Sequence, residues 1–108
     1  MKLTFKDRLT ILYGNVLSPF STIDGIKLNK AIKAKVAFSP AEVMALNLKI
    51  FENGSITYST ESPIETFSID ADFSAQEIEH LKAGAIAIES GRGVTEDSLE
   101  TIEKLMEG

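Results

Sequence analysis

The sequence predicts an α+β fold, a three-stranded antiparallel meander packed with about five helices and ending in a C-terminal helical hairpin. Three observations lead there. Phe38-Ser39-Pro40-Ala41-Glu42-Val43 and Phe73-Ser74-Ala75-Gln76-Glu77-Ile78 each have the form of a capping box. In that device a hydroxyl accepts from the amide three residues on, and a glutamate there bonds back to the cap amide. Val94-Thr95-Glu96-Asp97-Ser98-Leu99 is a looser third copy. Between the first two, apolar residues alternate around Glu52-Asn53-Gly54; elsewhere they recur every three or four positions, as helices require.

In chain order, Phe5, Leu9, Leu12, Tyr13 and Val16 fall at helical spacing, and Pro19 follows, so a first helix is expected from about Phe5 to Leu17, weakened by Gly14. Asn15 to Gly25 carries turn residues and reads as a loop. A second helix, about Gly25 to Lys35, sets Leu28, Ile32 and Val36 on one side and Lys27, Lys30 and Lys33 on the opposite arc. The first capping box opens a short helix, Pro40 to Leu46. A two-residue Asn-Gly turn would split the next apolar set between both faces. A three-residue loop pairs Ile50 with Ile56 and Leu48 with Tyr58 on one face, with Gly54 as the left-handed residue of a bulge. Ile64 to Ile69 reads as a third strand, with Phe67 and Ile69 toward the core. The longest helix runs from about Ala75 to Glu89 along Ile78, Leu81, Ala85 and Ile88, and Ala83, Ala85 and Ala87 suggest close approach of a neighbour. Ser90-Gly91-Arg92-Gly93 ends it, and a last helix from the third cap lines up Leu99, Ile102, Leu105 and Met106. The short connection implies that these two helices pack on each other antiparallel. In each cap motif the preceding apolar residue (Phe38, Phe73, Val94) is positioned to staple onto Val43, Ile78 or Leu99.

A chain of 108 residues suits one domain, 1–108, able to bury roughly two-thirds of its extended surface without covalent staples. The absence of cysteine excludes a disulfide framework and a thiolate metal site. Lys6, Asp7 and Arg8 interrupt the first apolar stretch, and no apolar run approaches the roughly 18 residues of a membrane span. An intracellular protein with no membrane partner is the expectation.

The net charge of -5 conceals an imbalance. Residues 1–49 hold eight bases against three acids, while the remainder holds three bases against thirteen acids. Opposite signs at separate ends steer charged partners or favour head-to-tail contacts between copies, although charge on solvated helix faces is also ordinary. The basic face of the second helix (Lys27, Lys30, Lys33) and the acidic face of the last (Glu96, Glu100, Glu103) are therefore the candidate partner-binding residues.

Catalytic and metal chemistry find little support. His80, the one histidine, has no cysteine or nucleophile-elbow serine to work with and reads as a helix-edge residue. Asp70-Ala71-Asp72, with Glu61 and Glu65, lacks the spacing of a calcium loop; acids before a helix complement its dipole. Ser90-Gly91-Arg92-Gly93 with Thr95 offers amides to an anion but lacks the lysine of a phosphate loop, and a helix stop followed by a helix start explains it. A winged helix formed by residues 5–59 is the competing reading. Its recognition helix, Pro40 to Leu46, has Glu42 and no arginine, lysine or glutamine for base edges.

The run Val36-Ala37-Phe38-Ser39-Pro40-Ala41-Glu42 leading to Leu46-Asn47-Leu48-Lys49, then Gly54-Ser55-Ile56-Thr57-Tyr58, a capped helix and Val94-Thr95-Glu96 with Leu99, resembles small uncharacterised proteins common in tailed-phage genomes and prophages. The resemblance covers most of the chain and implies no catalytic residue and no cofactor. It implies a phage-encoded accessory or structural protein, cytoplasmic in the host or virion-associated, that contacts another protein or copies of itself. The function expected is a non-enzymatic interaction module, with winged-helix nucleic-acid binding as the alternative.

Overall fold

A computed structural model describes residues 1–18, 20–53 and 55–107. The elements run β1 (Lys2–Leu3), α1 (Phe5–Tyr13), α2 (Ile23–Val36), α3 (Pro40–Leu46), β2 (Lys49–Ile50), β3 (Ile56–Thr57), a 3-10 turn (Ile64–Phe67), β4 (Ile69–Asp70), α4 (Ala75–Ser90) and α5 (Leu99–Glu107). The class is α+β with five helices among the described residues.

Local chemistry accounts for the helix starts. Ser39 and Ser74 cap α3 and α4 in complete boxes with Glu42 and Glu77. Thr4 does the same for α1 with Asp7, and Thr22 accepts from the Gly25 amide at 3.0 Å to start α2 two residues before the expected point. The third start is displaced. Thr95 and Ser98 bond each other reciprocally across a turn, and the first helical bond of α5 runs from Ile102 to the Ser98 carbonyl, 2.9 Å. The helix thus begins at Leu99 rather than beside Thr95.

The ends follow backbone geometry. α1 stops at Gly14, with Asn15 left-handed at φ 65°, four residues short of Leu17; Pro19, expected to follow that helix, lies outside the described residues. α4 closes with Arg92 at φ 58°, its amide on the Glu89 carbonyl and the Gly93 amide on that of Ile88. This is the paired-bond helix stop for which glycine is the usual left-handed residue.

The meander is replaced by two separate two-stranded antiparallel sheets. β2 and β3 pair Lys49 with Thr57 and Ile50 with Ile56, the register of the three-residue loop, and the Phe51 amide meets the Ser55 carbonyl at 2.9 Å. The assignment of a bulge to Gly54 lies outside the described residues. Residues 64–67, expected as strand, coil instead, with the Thr66 amide on the Pro63 carbonyl, so that Phe67 enters the core. Only Ile69–Asp70 is strand, and its partner is the N-terminus: Lys2 pairs with Asp70 and Leu3 with Ile69. The terminal ammonium adds bonds to the Ala71 carbonyl and the Asp70 carboxylate at 2.8 and 3.2 Å. An available edge at residues 1–3 wins over extension of the hairpin.

Two apolar clusters result. The larger gathers Leu3, Ile11, Val16, Ile32, Val36, Phe73, Leu81, Ala85, Ile102 and Leu105 among its members. The smaller, Phe5, Leu46 and Phe67, lies beneath α3 and the hairpin, with Phe5 against Phe38, Phe67 and Tyr58. Phe38 therefore packs inward while Val43 is left exposed. α4 and α5 make the most extensive helix contact among the described residues. The close approach along α4 is made at Gly84, where an added Cβ would stand 2.1 Å from the Val16 carbonyl oxygen. Gly84→Ala is therefore expected to lower stability by about 1–2 kcal/mol in urea unfolding, although alanine is the better helix former by about 1 kcal/mol.

Candidate functional site

Three carboxylates that close capping boxes also each hold a cation from another helix. Asp7, in the first turn of α1, takes Lys104 of α5 and the Thr101 hydroxyl. Glu42 of α3 takes both terminal nitrogens of Arg8 from α1, at 2.7 and 3.0 Å. Glu77 of α4 takes Lys35 of α2. Lys35 and Lys104 lie in the last turns of their helices. The Lys35–Glu77 and Lys104–Asp7 pairs thus join the negative end of one helix dipole to the positive end of another.

Arg8 is the centre of this framework. It is buried, and beyond Glu42 it donates to the carbonyls of Val36 (3.0 Å), Ala37 (2.7 Å) and Phe67 (2.7 Å), while its guanidinium lies 4.1 Å from the centre of the Phe38 ring. Val36 belongs to the larger apolar cluster and Phe67 to the smaller, so one side chain ties both. Nothing in the pattern around Arg8 distinguished it from a surface base; only the three carbonyls reveal its role.

These contacts set the acid equilibria. For Asp7, burial favours the neutral form, but the bonds from Lys104, Thr101 and the Thr4 amide outweigh it and hold the carboxyl below its ordinary value. Glu42 is drawn down to about 2, chiefly by Arg8 and against the cost of burial. Glu77 is lowered by Lys35 and then by the Ser74 amide. The three perturbed acids are parts of the scaffold, each closing a helix cap and holding a cation from another helix.

The other constellations are similarly absorbed. Asp70 meets the terminal ammonium, and the Asp72 carbonyl accepts from Lys35. Among the described residues no group of three or more histidine, aspartate or glutamate side chains is placed to hold a metal. His80 is half-buried, its Nε2 2.6 Å from Asn29 Oδ1, while Asn29 Nδ2 donates to the Ser18 carbonyl at 2.8 Å. That second bond fixes the amide's orientation, so the proton sits on Nε2. His80 thereby anchors the segment before α2, at one wall of an open groove shared with Asp24, Lys27, Leu28, Gln76 and Glu79.

The expected partner-binding residues remain at the surface. Lys27, Lys30 and Lys33 on α2 are exposed, as are Glu96 in the turn before α5 and Glu100 and Glu103 on it. None of the six forms an ion pair with a described residue. The separation of signs is incomplete, since Lys27 shares its groove with Asp24 and Glu79, and Lys35 and Lys104 are spent on acids across the chain. Sequence reasoning missed the apolar company of these charges. Phe20 and Ile23 are 89% and 77% exposed ahead of the lysines, and Leu99 is 46% exposed beside the glutamates. A second apolar area, Val43, Met44, Ile50, Phe51 and Tyr58, is exposed on α3 and the hairpin.

The class defined is thus a small α+β fold clasped by ion pairs that each bury one partner, with charged and apolar helix faces outward. Comparison with protein-family models, curated proteins and solved structures finds no match to this chain. No helix is long and apolar enough to cross a membrane, among the described residues.

Proposed function

We propose that the protein is a non-enzymatic interaction module, a phage-encoded accessory or structural protein that binds another protein through the basic face of α2 and the acidic face of α5. The observation that supports this reading most is the division of labour among charges. Arg8, Lys35 and Lys104 are consumed by the fold, while Lys27, Lys30 and Lys33 are exposed and in no ion pair among the described residues, on the helix that opens with exposed Ile23. Apolar anchors ringed by charge are the usual make-up of a protein contact. The test is capture from the producing cells, followed by identification of the retained protein and reconstitution from purified components. K27E/K30E/K33E is expected to lose the partner while keeping the wild-type unfolding midpoint; equal retention by both chains would overturn the reading.

The order α1, α2, α3 and hairpin keeps winged-helix nucleic-acid binding as the second reading. Against it, the exposed residues of α3 are Pro40, Ala41, Val43, Met44 and Ala45, all apolar, and Glu42 is held by Arg8. That reading requires low-salt retardation of duplex DNA that weakens in K30A/K33A; an unshifted duplex ends it.

A further inference from the structure

We infer that the occupant of the α2 face is the α5 face of a second copy, so that the chain assembles head to tail. This rests on the interaction-module reading and names its partner. The two faces are complementary in sign and in order. α2 has Asp24 as its one acid, in its first turn, and Lys35 is turned to Glu77; the remaining cations Lys27, Lys30 and Lys33 are exposed. α5 has Lys104 as its one cation, engaged by Asp7 and the Lys2 carbonyl, which leaves its exposed arc to Leu99, Glu100, Glu103 and Glu107.

Spacing makes the match specific. Ile23 stands four residues before Lys27, and Leu99 stands four residues before Glu103. Four residues are about 6 Å of helix axis. Two such helices side by side and parallel set Ile23 against Leu99 and Lys27 against Glu103, with Lys30 next to Glu107. The patches differ, so the contact is heterologous: a pair of copies keeps one free face of each kind, and growth continues as a row or closes as a ring. The groove acids Asp24 and Glu79 flank Lys27 and set how close the glutamates settle.

The experiment is sedimentation of the full chain with its charge-reversed variants. Wild type is expected to associate with increasing concentration. K27E/K30E/K33E and E100K/E103K/E107K should each associate roughly tenfold or more weakly, and raised salt should weaken the wild type. Mixing the two variants should restore association, because each supplies the sign the other has lost. As the chain has no cysteine, I23C and L99C proteins mixed under oxidising conditions should give a mixed disulfide dimer in preference to either self-dimer. A wild type that remains monomeric at millimolar concentration overturns the second-copy proposal. If K27E/K30E/K33E still loses a reconstituted foreign partner, the interaction-module reading survives that failure; if it loses none, both fall. Association unchanged in both variants also overturns the proposal.

Discussion

Arg8→Ala is expected to cost about 3–5 kcal/mol in urea unfolding at pH 7, the range for removing one member of a buried ion pair. For a domain whose total stability lies at about 5–15 kcal/mol, this leaves a marginal or unfolded chain. The reason is what remains behind. The carbonyls of Val36, Ala37 and Phe67 lose their donors, and the Glu42 carboxylate keeps only its bond from the Ser39 amide. Arg8→Lys restores the charge but not the planar fork that reaches Glu42 twice and lies over Phe38, so it should recover only part of the loss. A loss below about 1 kcal/mol for Arg8→Ala would show that the guanidinium is not the clasp between the two apolar clusters.

Acidification is expected to unfold the protein between about pH 5 and pH 2, with the steepest loss below the ordinary carboxylate value of 4.5. Asp7, Glu42 and Glu77 all have lowered folded-state values. A group held lower in the folded state binds fewer protons there than in the unfolded chain. Its stabilisation is complete above the unfolded value and disappears as pH falls through the folded one, about 2 for Glu42. Glu42 is expected to contribute at most a few kcal/mol at neutral pH, because its carboxylate is partly exposed and solvent screens the pair. Urea midpoints by circular dichroism from pH 7 to pH 2.5 measure this, and Glu42→Gln should flatten the dependence. A midpoint constant across the range would contradict the ion-pair framework.

The two predictions concern groups that the residue pattern shows unequally. Glu42 and Glu77 were legible as capping-box glutamates, because the motif is complete within four residues. Their cations were not, since Arg8 and Lys35 lie 34 and 42 positions away. The candidate surface divides in the same way. Helical spacing put Lys27, Lys30 and Lys33 opposite Ile32 and Val36, and they are exposed where those are buried. The exposure of Phe20 and Ile23 carries no local signal, because an apolar residue near a helix start fits a staple equally well. Thr95 misled for a related reason: the same hydroxyl chemistry closes a turn with Ser98 as readily as it opens a helix.

By itself the sequence determined the starts of α3 and α4, the hairpin register at Ile50 and Ile56, and the basic and acidic faces. Each of these is set by neighbours a few residues apart through caps, turns and periodicity. Tertiary structure decided that residues 64–67 coil, that β4 pairs with the N-terminal strand, Asp70 with Lys2 and Ile69 with Leu3, and that Arg8 is buried. Those choices compare the free energies of distant partners competing for the same backbone groups, and no window of sequence contains both competitors.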